Sequence, residues 1–431
     1  MIKLAAIADD LTGANDTALQ FAKRNMKSCV KINFAADDFE TDKDVIVIDS
    51  DSRDLAVQEA YTKVKNICEA IKKYKARCIY KKIDSTLRGN IGAEIKAVDD
   101  VFKPELVIIA PAYPINRRIT VGGYHLLDGV PLELTEIANS PKTPVKESYI
   151  PNILKQQTAD KKVGVLDFLT VKKDSEAVKA KLDEFLNKGI NWIVCDIVEE
   201  KNFMTVMDAV KSFKNILWVG SAGMADYITY FYNWIGEEKF MQRYRSGPVL
   251  ICAGSVSHTT QEQIQTVLEY EDINFLKIDI PKILEDEQYI TVYIDRLKTL
   301  AKQDKNILIV TALNDDDVKE AIEAGRKYNL SGKQVSERIA TIMAQIVGGL
   351  DLHNLAGMVL TGGDIAVHIC KSIGADSIEI ISEIDTAIPL GYIQGKNIDK
   401  LFVVTKAGAF GKPDAFIKSI KAIKNFELGG N

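Results

Sequence analysis

The chain has 431 residues, 46% of them hydrophobic and 27% charged, with 55 Lys and Arg against 60 Asp and Glu for a formal net charge of −5. That balance excludes an intrinsically disordered chain, because this much apolar material can offset the entropy of ordering, and the length exceeds the ~250–300 residues at which single cores stop growing. The acidic surplus argues against a nucleic-acid surface, so a polyanionic ligand would have to meet positive charge concentrated at a few places.

From the N-terminus, short β-branched runs alternate with helical stretches. Residues 3–8, 30–34, 45–49, 78–83, 106–110, 163–167, 192–196 and 216–220 read as buried strands. Intervening stretches such as 54–74 and 171–188 carry apolar residues at spacings of three and four, with charges elsewhere. A charged segment at 234–248, ending in Gly247-Pro248, interrupts the pattern. A second strand series follows at 249–253, 275–278, 307–311, 358–361, 378–381 and 401–405. This alternation predicts two doubly wound, mostly parallel α/β domains over residues 1–240 and 247–431, with a ligand cleft between them.

The six cysteines are scattered, with no C-x-x-C and no zinc spacing, and several lie inside apolar runs. Buried reduced thiols are expected. The apolar run at the N-terminus is broken at once by Asp9 and Asp10 and lacks the basic region of a signal peptide. No run approaches the ~18 apolar residues of a membrane span. A cytoplasmic protein without membrane or nucleic-acid partners is the expectation.

Ligands of open parallel sheets bind at the carboxyl ends of strands, and there the polar residues concentrate. The first strand opens into Asp9-Asp10-Leu11-Thr12-Gly13-Ala14-Asn15-Asp16. A helix cap accounts for one Asp or Thr of that set, but three carboxylates, a hydroxyl and an amide point to a ligand site. The fourth strand ends in Lys82-Ile83-Asp84-Ser85-Thr86-Leu87-Arg88-Gly89, where two cations and an acceptor suit a hydroxylated carboxylate. The next strand ends in a rigid, then basic run at 110–118, followed by Gly122-Gly123-Tyr124-His125, in which His125 reads either as a binding group or as a structural histidine. Together these tips describe a pocket for a small anionic polyhydroxy compound.

The second series has a different kind of strand end. Gly254-Ser255-Val256-Ser257 precedes a helix, Thr361-Gly362-Gly363-Asp364 precedes another, and Lys406-Ala407-Gly408-Ala409-Phe410-Gly411 follows the last strand. Backbone N–H groups at such turns bind anions. The set reads as a phosphate cradle, with Asp364 available for a magnesium ion and Lys406 for charge. No Walker P-loop, dinucleotide fingerprint or protein-kinase signature occurs.

Segments 8–16, 82–89, 110–132, 220–225, 254–261, 361–364 and 406–411 resemble, in order, the motifs of the four-carbon acid sugar kinase family, and the resemblance spans essentially the whole chain. It implies an N-terminal domain for a four-carbon sugar acid (threonate, erythronate or a 3-oxo-tetronate), a C-terminal domain for ATP, and transfer to the terminal 4-hydroxyl. By resemblance, Asp9, Asp10, Asp16, Lys82, Asp84, Ser85, Arg88 and Arg118 are substrate-side positions. Ser255, Gly362, Gly363, Asp364 and Gly408 are nucleotide-side positions. Departures from the family pattern are Ile365 and Ala407, where hydroxyl residues are usual, and Ala387 and Arg117, where Gly is common.

Phosphoryl transfer asks for positioning, charge neutralisation and one acceptor for the hydroxyl proton. Arg88, Lys82 and Arg118 are expected to clamp the carboxylate, with Asp10, Asp16 or Asp84 receiving the proton. Two other readings fit the same residues: a kinase for another polyol acid or a 4-hydroxythreonine-like compound, and a non-catalytic sensor that binds acid or nucleotide. A homodimer is the base-rate expectation for such an enzyme.

Overall fold

A computed structural model describes residues 2–32, 34, 42–140, 142–158, 160–237, 246–254 and 257–425. The chain divides into two compact units, Met1–Ser28 with Phe34–Gly236, and Cys29–Asn33 with Glu237–Asn431. Both are α/β, with a mostly parallel sheet.

The strands of the first half are β1 (Leu4–Ala8), β2 (Ser28–Lys31), β3 (Val45–Asp49), β4 (Cys78–Lys82), β5 (Leu106–Ala110), β6 (Arg118–Val121), β7 (Tyr124–Leu127), β8 (Val130–Pro131), β9 (Val163–Leu166), β10 (Trp192–Cys195) and β11 (Ile216–Gly220). In the first unit the order β3-β1-β4-β11-β5-β10-β9 is parallel throughout. Nearly every residue of these strands is buried, which is why they read as continuous apolar runs. Ala8 stands opposite both Asp49 and Lys82, and Lys82 opposite Gly220. The register therefore brings the carboxyl ends of β1, β3, β4 and β11 level with one another.

Residues 118–131, to which the sequence assigned no element, form a small antiparallel sheet, β6-β7-β8. Its strands are two to four residues long and half exposed, so no apolar run marked them.

The second unit continues with β12 (Val249–Ala253), β13 (Asn274–Lys277), β14 (Ile307–Val310), β15 (Gly357–Thr361), β16 (Ala375–Asp385), β17 (Ile388–Gly395) and β18 (Ile398–Lys406). Strands β13-β14-β12-β15-β18 are parallel, and β18-β17-β16 form an antiparallel meander. The stretch Cys29–Asn33 joins this unit, with Ile32 N–H donating to the Asp376 carbonyl at 3.1 Å. Expected strand 378–381 is the middle of the longer β16, and β17 had no counterpart in the sequence reading. Pro389, Gly391 and Gly395 dilute its β-branched pattern, and Pro389 sits beside a register shift, where proline is tolerated. Phe416 and Ile420, on the closing helix Ala415–Lys424, pack over Val249, Ile251 and Val359.

The six cysteines are all buried. Among the described residues no helix is long and apolar enough to cross a membrane.

Candidate active site

The level strand ends of the first unit gather a compact set of charges. Asp9 and Asp10 follow β1, Lys82 closes β4, and Asp84 and Arg88 lie in the turn beyond it. Arg53, which sequence reasoning missed, joins them from the segment after β3. Its Nε donates to Asp9 Oδ2 at 2.6 Å and its Nη1 to Asp10 Oδ2 at 2.7 Å, while Nη2 lies 3.6 Å from Asp84 Oδ1. Asn90 Nδ2 holds this segment by donating to the Ser52 and Leu55 carbonyls at 3.1 and 2.9 Å. The signal was present as Asp49-Ser50-Asp51-Ser52-Arg53, a polar tip on an apolar strand like those that marked the neighbouring sites.

A fully buried ion pair supports the cluster from below, Lys81 Nζ to Glu94 Oε2 at 2.7 Å. Ser52 Oγ donates to Glu94 Oε1 at 2.7 Å and Ser50 Oγ to the Ala8 carbonyl at 2.6 Å, tying the ends of β1 and β3 together.

Asp84 is the most heavily engaged carboxylate of the set. Its Oδ2 accepts from Thr86 N–H and Oγ1 at 3.2 and 2.5 Å and from Arg88 Nε at 2.8 Å, while Oδ1 accepts from Arg88 Nη2 at 2.9 Å. Arg88 and Asp84 thus hold each other in a bidentate pair. Burial works to raise Asp84, but the Arg88 and Arg53 guanidinium groups outweigh it and keep the carboxyl well below its usual range. In Asp9, likewise, burial is overcome by Arg53 and the carboxyl lies low. Asp10 goes the other way: burial, with Asp9 and Asp84 nearby, raises it despite Arg53. Asp10 is therefore the most basic of the three.

Asp10 also caps the helix Leu11–Ala22, its Oδ1 accepting from Gly13 N–H at 2.8 Å. A Cβ on Gly13 would lie 2.7 Å from that oxygen and 2.8 Å from Lys82 Nζ, so glycine lets the ammonium approach the helix start. Asp16 sits farther along this helix, half-buried, accepting from Gln20 Nε2 at 3.2 Å. Arg118 begins β6; its Nη1 donates to the Asn116 carbonyl at 2.9 Å, and its buried Nε has no hydrogen-bond partner among the described residues. The Ser85 carbonyl faces His125 Nε2 at 2.9 Å.

In the second unit a cavity of about 270 Å³ opens beside the ends of β12 and β15. Val318, Ala321 and Ile322 of the helix Asp315–Lys327, with Val335, Ile339 and Ala340 of the helix Gly332–Gly348, give it apolar walls. Gly254, Gly362, Gly363, Asp364 and Ile365 line the side at the strand ends, and Thr311, Ala312, Asp317 and Ser336 complete the lining. The helix Gly363–Ser372 starts without a side-chain cap after Gly362, whose φ is +98°. Such a slot suits a flat apolar-faced group with an anion beside the helix start. Ile365 packs where a Cβ on Gly254 would stand, 2.6 Å from its Cδ1, so the isoleucine is accommodated by the neighbouring glycine.

Lys406 is buried among oxygens, its Nζ donating to Thr361 Oγ1 at 2.9 Å and to the Gly408 carbonyl at 3.2 Å. Burial pulls it down to about 7. The Gly408 carbonyl also accepts from Ser257 Oγ and Thr260 Oγ1 at 2.7 and 2.9 Å, stitching the loop after β18 to the helix His258–Tyr270. Ser255 lies outside the described residues. Among those described, no group of three or more His, Cys, Asp or Glu could hold a metal ion. Asp317, on the cavity wall, is engaged by Lys277 Nζ at 2.5 Å and Leu313 N–H at 2.7 Å, and Asp364 lies exposed on the same wall beside the helix start. One such carboxylate fits a magnesium ion carried in on phosphate oxygens and water.

The sequence matches the model of the sugar-binding N-terminal domain over residues 4–228 and that of the nucleotide-binding C-terminal domain over residues 250–416. It is 33% identical to D-threonate kinase of Salmonella typhimurium LT2, over 99% of this chain and 100% of that one. Identity to D-erythronate kinase of Heliobacterium modesticaldum is 30%, over 96% and 95% of the two chains. Among solved structures, the Haemophilus influenzae protein HI1011 shares the fold with a TM-score of 0.76 at 23% identity, over 96% of this chain and 98% of that one.

Proposed function

The chain belongs to the four-carbon acid sugar kinase family, and from that premise we propose that it transfers the terminal phosphoryl group of ATP to the 4-hydroxyl of a four-carbon sugar acid. The observation that carries this reading is the charge cluster at the ends of β1, β3 and β4, in which three carboxylates and the cations Arg53, Lys82 and Arg88 nearly neutralise one another. D-threonate and D-erythronate are the first substrates to try, because the named relatives act on them.

In this reading Lys82 and Arg118 meet the acid's carboxylate, and the Asp84–Arg88 pair hydrogen-bonds its hydroxyls. Asp10 receives the 4-hydroxyl proton as the oxygen attacks the γ-phosphorus and the bond to the leaving ADP oxygen breaks. Its raised affinity for a proton suits it to that task better than Asp84, which gives up its proton too readily to be a good base. The nucleotide base would occupy the apolar slot, with the phosphates at the Gly362–Gly363 turn and near Lys406, and Asp364 would hold a magnesium ion that neutralises phosphate charge.

Coupled measurement of ADP release across a panel of four-carbon acids tests the proposal. At least one acid should stimulate turnover, and Asp10→Asn should lower kcat by roughly 10²–10⁴-fold, the usual worth of a positioned base. If no acid stimulates ADP release, the reading fails.

A further inference from the structure

Two parts of the acid-binding face come from separate elements: the turn carrying Asp84 and Arg88 after β4, and Arg118 at the head of β6. His125, within β7, is the side chain that joins them. It is fully buried, with Nε2 2.9 Å from the Ser85 carbonyl and Nδ1 3.0 Å from Thr120 Oγ1. A carbonyl only accepts, so Nε2 carries the ring proton and Nδ1 accepts from the Thr120 hydroxyl.

The imidazole is anchored from both sides. His125 N–H donates to the Ser148 carbonyl at 2.9 Å, and Thr120 exchanges backbone hydrogen bonds with Ile197 at 2.9 and 3.1 Å. Beside Ile197, the Asp196 carboxylate accepts the N–H groups of Gly122 and Gly123 at 2.5 and 2.9 Å, holding the β6–β7 hairpin. Packing alone would be served by a leucine; here each ring nitrogen is committed, one to the turn and one to the hairpin. The charged groups that act on the ring are Arg118 and Asp84, the residues whose separation it spans. Burial pulls the ring down to about 4, so it remains a neutral, fixed donor near pH 7.

We propose that His125 is a positioning residue which, through the Ser85 carbonyl, sets the spacing between Arg118 and the Asp84–Arg88 pair and so the length of acid that both can engage. This rests on the reading that the face binds a sugar acid. Loss of the tie should fall on the acid's KM and leave that of ATP alone.

The test compares His125→Ala with His125→Gln, whose amide Nε2 can donate to the same carbonyl. Amide exchange read by mass spectrometry over residues 84–90 needs no substrate, and steady-state kinetics with D-threonate and D-erythronate give the two KM values. In His125→Ala, exchange at Thr86 and Arg88 should rise about tenfold and acid KM about tenfold, with ATP KM within about twofold and most of the loss recovered by Gln. Unchanged exchange, an equal rise in both KM values, or a Gln variant no better than Ala would overturn the proposal. If the wild type turns over neither acid, the substrate reading fails, while the exchange result still decides whether the tie exists.

Discussion

Lys406 is a buried ammonium whose partners are neutral oxygens of Thr361 and Gly408, and burial is the cause named for its fall to about 7 from the usual 10.5. The unfolded chain therefore binds the proton more tightly than the folded one, and the folded state carries the cost of that mismatch below pH 10.5, in full below about 7. Near pH 7 the mismatch amounts to roughly 4 kcal/mol at 1.36 kcal/mol per pKa unit, less roughly 1 kcal/mol for each hydrogen bond that a replacement forfeits. Lys406→Met should accordingly gain roughly 2 kcal/mol at pH 7, a gain that shrinks with rising pH, passes through zero near pH 9 and is a loss by pH 10. Urea unfolding at the two pH values measures this, and the same variant should lose nucleotide-dependent turnover. A stabilising change that removes activity is what a group kept for phosphate charge predicts; a variant destabilised at pH 7 would argue that Lys406 is merely structural.

Two residues that depart from the family pattern occupy backbone conformations suited to glycine. Ala387, in the turn between β16 and β17, has φ +58°, and Arg117, just before β6, also has φ +58°. A left-handed L-residue costs roughly 1–2 kcal/mol, against roughly 0.4–1 kcal/mol of extra unfolded-state entropy that glycine brings. Ala387→Gly and Arg117→Gly should each raise stability by roughly 0.5–1 kcal/mol, even though Arg117 gives up an exposed ion pair with Asp128 worth little. The sites lie in different units, so shifts in the urea midpoints should be close to additive. The same turns show where the elements were legible. Strands buried on both faces announced themselves as apolar runs, and their polar tips are where the charge cluster gathers. Strand β17, interrupted by Pro389 and two glycines, and the short half-exposed strands β6–β8 lacked that contrast. Arg53 was hidden for another reason: its role depends on parallel register bringing the tips of β3 and β1 together, which one-dimensional pattern does not specify.

Across the whole molecule, a net charge of −5 coexists with a cluster whose carboxylates and cations nearly cancel, because charge is organised locally rather than by total. That organisation makes acid stability a sum of opposing groups. Asp10, Glu94 and Asp196, raised chiefly by burial, take up protons more readily when folded and favour the fold as pH falls toward their unfolded values of 3.8 and 4.5, whereas Asp9 and Asp84, held low by Arg53 and Arg88, lose stability at lower pH. His125 also loses stability in acid: its folded value of about 4 lies below the unfolded 6.5, so the unfolded chain is protonated first. Its contribution is complete above pH 6.5 and is lost as pH falls through about 4, up to roughly 3 kcal/mol for a shift of this size. Because the carboxylates mask this in the wild type alone, the informative quantity is the stability difference between wild type and His125→Gln, in which they cancel. Measured by urea unfolding at pH 7, 5.5 and 4.5, that difference should narrow progressively in acid. A gap independent of pH would mean that the imidazole titrates alike in both states, and that burial between β7 and the Ser85 turn does not hold it neutral.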